Sequence, residues 1–182
     1  MRAINPPDRY SRGAIAFHWV IAALVVFNLW LGIAHDSLPR DWQVMPVHKA
    51  VGITVLVLTF GRIAWRFSHP APPLPPTVAG FERVAAYVSH YAFYVLLLVM
   101  PLTGWAMSSS TKAKPFDWFG VFTVPKLPVS ADVSKFGHDA HELLGWGMLA
   151  LVVLHVAAAL RHHFLLRDSV LARMTPGVRP LA

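Results

Sequence analysis

The chain has 182 residues, of which 55% are hydrophobic and 14% charged, with a mean hydropathy of +0.50. That is too apolar for a water-soluble domain of this size and suits one compact membrane domain spanning residues 1–182. The chain has no cysteine, which excludes structural disulfides, thiolate-ligated iron and thioether attachment of a cofactor. The net charge of +7 reads as anchoring to anionic lipid and not as nucleic-acid binding, because no aromatic-basic interleaving accompanies it.

Spanning the hydrocarbon takes about 20 predominantly apolar residues in helix. Four segments qualify in chain order, at about 13–34, 47–65, 84–107 and 143–160, the last within a helix of about 141–163. Arg2, Arg9 and Arg12 precede the first; its apolar run is too long for a signal peptide, and it reads as a retained helix. The 35–46 connection is short. The 69–80 connection carries His-Pro-Ala-Pro-Pro-Leu-Pro-Pro and cannot be helical. The third, 108–137, holds Phe116, Trp118, Phe119 and Phe122, an interfacial stretch expected to cover something on the outer surface.

Orientation follows from the basic residues. With the N-terminus cytoplasmic, Arg2, Arg9, Arg12, Arg62, Arg66, Arg83, Arg161, Arg167, Arg173 and Arg179 lie inside, against Arg40, Lys49, Lys112, Lys114, Lys126 and Lys135 outside. The fold expected is therefore all-α: a transmembrane four-helix bundle, up-and-down, with both termini cytoplasmic.

His18, His48, His141 and His155 each sit inside or at the edge of an apolar stretch. His141 and His155 are fourteen residues apart, which returns a helix to within about 40° of the same face and separates the rings by about 21 Å along the axis. His18 and His155 share the inner depth, and His48 and His141 the outer. Two neutral imidazoles from facing helices can complete a six-coordinate iron, so the set reads as two bis-histidine haems, His18 with His155 and His48 with His141. His138 competes with His141 but is turned about 100° from His155. His35 competes with His48 from the fraying end of the first helix. Gly52 and Gly145, one turn after His48 and His141, would let a macrocycle approach the backbone, although simple helix packing explains them as well. Arg62 and Arg66, His90 at inner depth, and His162 just beyond the core are candidate partners for propionates or a quinone.

The motifs around these residues carry a resemblance. Tyr-Ser-Arg-Gly-Ala-Ile-Ala-Phe-His-Trp around His18, Val-His-Lys-Ala-Val-Gly-Ile around His48, Arg62-x-x-x-Arg66 before the proline loop, His-Glu-Leu-Leu-Gly from His141, and Leu-His-Val-Ala-Ala-Ala-Leu-Arg-His-His-Phe around His155 resemble the bacterial cytochrome b561 family from about Tyr10 to Pro176. The resemblance implies a multi-pass protein of the bacterial inner membrane with two haem b, ligated by His18, His48, His141 and His155. The tail from Arg167 to Pro176 resembles the family's short standalone members, for which it implies superoxide oxidation coupled to ubiquinone reduction. Lys49, Arg40, Lys112, Lys114, Lys126 and Lys135 would then form a basic patch steering superoxide to the outer haem. Two other readings stand beside this one: an electron-transfer subunit serving a dehydrogenase or hydrogenase partner protein, and a small metal or proton transporter built on intramembrane histidines.

Overall fold

In a computed structural model of the protein, residues 9–110 and 113–178 are described. Four long helices account for most of them: α1 (Arg12–Ala34), α2 (Val44–Ser68), α3 (Gly80–Met107) and α4 (Ala131–Phe164). All four are long and apolar enough to cross a membrane. Each starts or stops where local chemistry dictates. The Ser11 hydroxyl accepts from the Ala14 amide and opens α1, and the Ser130 hydroxyl accepts from the Val133 amide and opens α4. The proline-rich 69–79 segment cannot extend α2. Pro101 lies inside α3, where one backbone bond is given up, as membrane helices tolerate.

Helix α4 begins at Ala131, ten residues before the expected start near 141. The polar run around Asp132, Lys135 and Asp139 is extramembrane helix, capped by Ser130, which an apolar-run criterion cannot detect. The 108–130 connection that remains is not all loop. It contains an antiparallel hairpin, β1 (Phe116–Trp118) paired with β2 (Phe122–Val124). Its turn places Phe119 at φ 49° and Gly120 at φ 74°, and the Val121 amide donates to the Trp118 carbonyl at 2.9 Å, as a type I′ turn requires. Trp118 Nε1 donates to Thr54 Oγ1 at 3.0 Å and Lys49 lies over the Phe116 ring, so the hairpin is clasped against α2.

The helices pack in sequence, α1 on α2, α2 on α3, and α3 on α4. Many outward side chains are large and apolar, among them Val26, Phe27, Trp30, Val57 and Phe60, as expected where the surrounding solvent is lipid. The buried centre is a cluster of Ile21, Val51, Val55, Leu97 and Met148. The first and last described residues lie at the end of the bundle opposite the hairpin. There the 165–178 segment folds back on the helices: Arg9 Nη2 donates to the Thr175 carbonyl and Trp19 Nε1 to the Met174 carbonyl, both at 2.8 Å. Arg161 and Glu82 join α4 to α3 at 2.7 Å. We call the two ends the hairpin end and the terminal end.

Candidate functional site

At the hairpin end, His48 of α2 and His141 of α4 face each other, with ring centroids 6.0 Å apart and planes at 83°. His48 Nδ1–H donates to the Asn28 carbonyl of α1 at 3.0 Å. His141 Nδ1–H donates to the Met100 carbonyl of α3 at 3.0 Å, with Thr103 Oγ1 3.2 Å away. A carbonyl can only accept, so both rings carry their proton on Nδ1 and keep a free lone pair on Nε2. A metal-binding histidine is commonly held in this way, with its other nitrogen on a backbone carbonyl.

A cavity of about 520 Å³ surrounds this pair, within the range of cofactor pockets. Gly52 and Gly145 line it. A Cβ at Gly52 would come no nearer than 3.8 Å to Asn28, and one at Gly145 no nearer than 3.9 Å to Met100; their missing side chains leave open room. Gly32 and Gly104 act differently. A Cβ at Gly104 would stand 3.0 Å from His141 Cε1, and one at Gly32 3.2 Å from His48 Cε1, so these glycines let the imidazoles lie against neighbouring helices.

The terminal end is built otherwise. His18 and His155 have ring centroids 6.3 Å apart with planes at 66°. His90 of α3 joins them, 5.8 Å from His155 at 72°, and Phe93 packs on His155 at 5.2 Å. Arg62 Nη1 donates to His18 Nδ1 at 3.3 Å and its guanidinium lies 5.7 Å from the Tyr94 ring centroid. Arg62 and Arg66 line a small pocket of about 20 Å³ with Trp65, His69 and Tyr94.

These separations have a chemical meaning. A ring with bonds of about 1.33 Å holds its nitrogens about 1.1 Å from the centroid, and imidazole nitrogen bonds a first-row metal at about 2.0 Å. Two imidazoles in line across one metal therefore have centroids about 6.2 Å apart. Among the described residues no group of three or more His, Asp or Glu is arranged to hold a bare metal ion; the opposed pairs suit a metal that brings its own equatorial ligands.

Of the other residues singled out from the sequence, Lys49 is half-buried and lines the cavity. His138 and His35 also line it, but His138 Nδ1 lies 3.4 Å from Asp139, and His35 Nδ1 donates to the Gly32 carbonyl at 2.7 Å. Lys126 Nζ is tied to the Ser110 carbonyl at 2.9 Å, and Lys114 and Lys135 are exposed away from the cavity lining. Arg40 belongs to a short 3-10 turn, Arg40–Trp42; its side chain, Lys112, Arg2 and Arg179 lie outside the described residues. His162 is buried against Asp168, Nδ1 to Oδ2 at 2.6 Å, and so is engaged by the C-terminal segment instead of by His18 or His155.

Sequence reasoning missed Asn28, Thr103, Gly32 and Gly104. The signal for the glycines was present. Each helix carries two positions fourteen apart on one face: His18 and Gly32, His48 and Arg62, His90 and Gly104, His141 and His155. Asn28 is the lone amide in an apolar run.

The sequence profile of prokaryotic cytochrome b561 matches residues 9–177. The chain belongs to the prokaryotic cytochrome b561 family. It is 34% identical to cytochrome b561 homolog 2 of Escherichia coli (strain K12), over 96% of this chain and 95% of that one. It is 30% identical to the probable superoxide oxidase CybB of Yersinia pestis, over 94% and 98%. A probable Ni/Fe-hydrogenase B-type cytochrome subunit of Cupriavidus necator is 31% identical over only 58% of this chain and 42% of its own length. As a cytochrome b561 family member, the protein is a multi-pass haem b electron-transfer protein of the bacterial inner membrane.

Proposed function

We propose that the protein is a superoxide oxidase, passing electrons from superoxide at the hairpin end to ubiquinone through two haem b. His48 and His141 would hold one haem and His18 and His155 the other. The observation that carries this reading is the pair of opposed imidazoles at each of two levels, 6.0 and 6.3 Å between centroids, both near the roughly 6.2 Å of in-line coordination. End-to-end similarity to a probable superoxide oxidase supports the substrate. The basic residues clustered toward the terminal end support a cytoplasmic placing of that end and a periplasmic placing of the hairpin end.

When bound, haem b supplies the one-electron chemistry. The protein's own residues do the rest. The Asn28 and Met100 carbonyls keep the imidazole protons on Nδ1 and aim Nε2 of His48 and His141 inward. Gly52 and Gly145 leave space beside them. Lys49, among the described residues the only lysine or arginine lining the cavity, raises the local concentration of an arriving anion. Arg62 and Arg66 are placed to pair with carboxylates at the terminal end. In the overall reaction, two superoxide ions each lose one electron and leave as dioxygen, and one ubiquinone takes up both electrons and two protons.

The test is the visible spectrum of the oxidised holoprotein as a superoxide-generating system is added, with and without ubiquinone. The expected result is a rising b-type α-band that ubiquinone discharges. Haem that ignores superoxide but is reduced by quinol or a chemical donor would overturn this reading in favour of an electron-transfer subunit for a partner dehydrogenase or hydrogenase.

A further inference from the structure

The four fourteen-residue pairs place one residue from each helix at each level. At the hairpin level these are Gly32, His48, Gly104 and His141; at the terminal level they are His18, Arg62, His90 and His155. The helix-three position facing His141 is a glycine, with no side chain to offer a metal. The corresponding position facing His155 is an imidazole.

The ring at position 90 lies about as far from His155 as that of His18 does. The His90 and His155 centroids are 5.8 Å apart, and those of His18 and His155 6.3 Å; the two values bracket the separation of about 6.2 Å for two imidazoles across one metal. The two rings meet edge-on, with planes at 72°, and a neutral imidazole keeps a lone pair on one of its nitrogens. His18 is held differently. Arg62 donates to its Nδ1, which puts the ring proton on Nε2 and leaves His18 without a free lone pair while Arg62 stays there.

We infer that His90 is a spare axial ligand at the terminal end, able to take the place of His18 opposite His155. His18 serves when Arg62 is drawn away to a carboxylate, and His90 serves when Arg62 holds His18. One neutral imidazole replaces another, so the exchange leaves the charge at the metal unchanged. This rests on the reading that His155 is a haem ligand.

The test uses oxidised full-length holoprotein, with total haem measured per chain and coordination read by low-temperature electron paramagnetic resonance and near-infrared magnetic circular dichroism. His18→Ala is expected to keep the haem content of the parent protein, with the terminal-end haem still low-spin and bis-imidazole but with shifted g-values. His18→Ala/His90→Ala is expected to lose half the haem or to turn that haem high-spin. A His18→Ala protein as deficient as the double variant would overturn the inference. The hairpin-end haem in each sample reports that the chain has folded; where it too is lost, His18→Asn, which still accepts from Arg62, carries the same test. Full haem content in His155→Ala would instead remove the ligand reading on which the inference stands.

Discussion

The two ends of the bundle place similar imidazole pairs in opposite surroundings. At the hairpin end, two backbone carbonyls hold His48 and His141 in one tautomer, two glycines let their rings lie flush, and a cavity of about 520 Å³ is already formed. At the terminal end, three histidines gather near one arginine, which is hydrogen-bonded to His18. The first arrangement is organised before anything binds. The second must exchange a protein–protein hydrogen bond for a protein–cofactor one. Preorganisation lowers the cost of binding, so the hairpin end is expected to load its cofactor more tightly.

Ligand removal breaks this contrast most completely. His48→Ala or His141→Ala is expected to lose the hairpin-end haem and leave the other, halving the haem per chain by absorbance; His155→Ala is expected to do the reverse. Unequal residual affinity of the two single-haem proteins, measured by haem titration, would sharpen the comparison, and equal affinity would break it.

A smaller effect is expected at Gly104. Valine there forces methyl groups onto His141, where even a Cβ stands at 3.0 Å. Loss of ligand support of this kind typically costs about 10- to 100-fold in affinity, and the loss should be confined to the hairpin end. Gly147→Ala, at a position where a Cβ meets nothing within 4 Å, is the control. Normal loading of Gly104→Val at both ends would show that the flush packing is dispensable.

Lys49→Gln is expected to have the mildest consequence, a fall of about threefold to tenfold in the rate of reduction by superoxide at low ionic strength. The difference should shrink as salt screens the charge. Lys126→Gln should change the rate less, because that ammonium is tied to the Ser110 carbonyl. Equal effects from the two lysines would spread the steering over the whole outer surface.

The helices were legible because their apolar runs match the thickness of a bilayer, and the shared levels because helical rise is regular. What escaped reading has specific causes. The start of α4 at Ala131 rests on a serine cap and a polar turn outside the hydrocarbon. The hairpin depends on a turn in which Phe119, a residue with no special liking for positive φ, precedes Gly120. Asn28 contributes through its backbone carbonyl, which has no sequence signature of its own. His162 is read from its place just beyond the core, and that place does not reveal that the chain turns back six residues later to present Asp168.

The central cluster of Ile21, Val51, Val55, Leu97 and Met148 lies between the two levels, with Met148 seven residues from both His141 and His155. None of these five side chains titrates, and the nearby Thr59 hydroxyl is turned back onto the Val55 carbonyl of its own helix. With haems at both levels, such a layer would hold back protons while electrons cross it. In the proposed reaction, if ubiquinone is reduced at the terminal end, each turnover carries negative charge inward and draws its protons from the cytoplasmic side, so that removing superoxide would also charge the membrane.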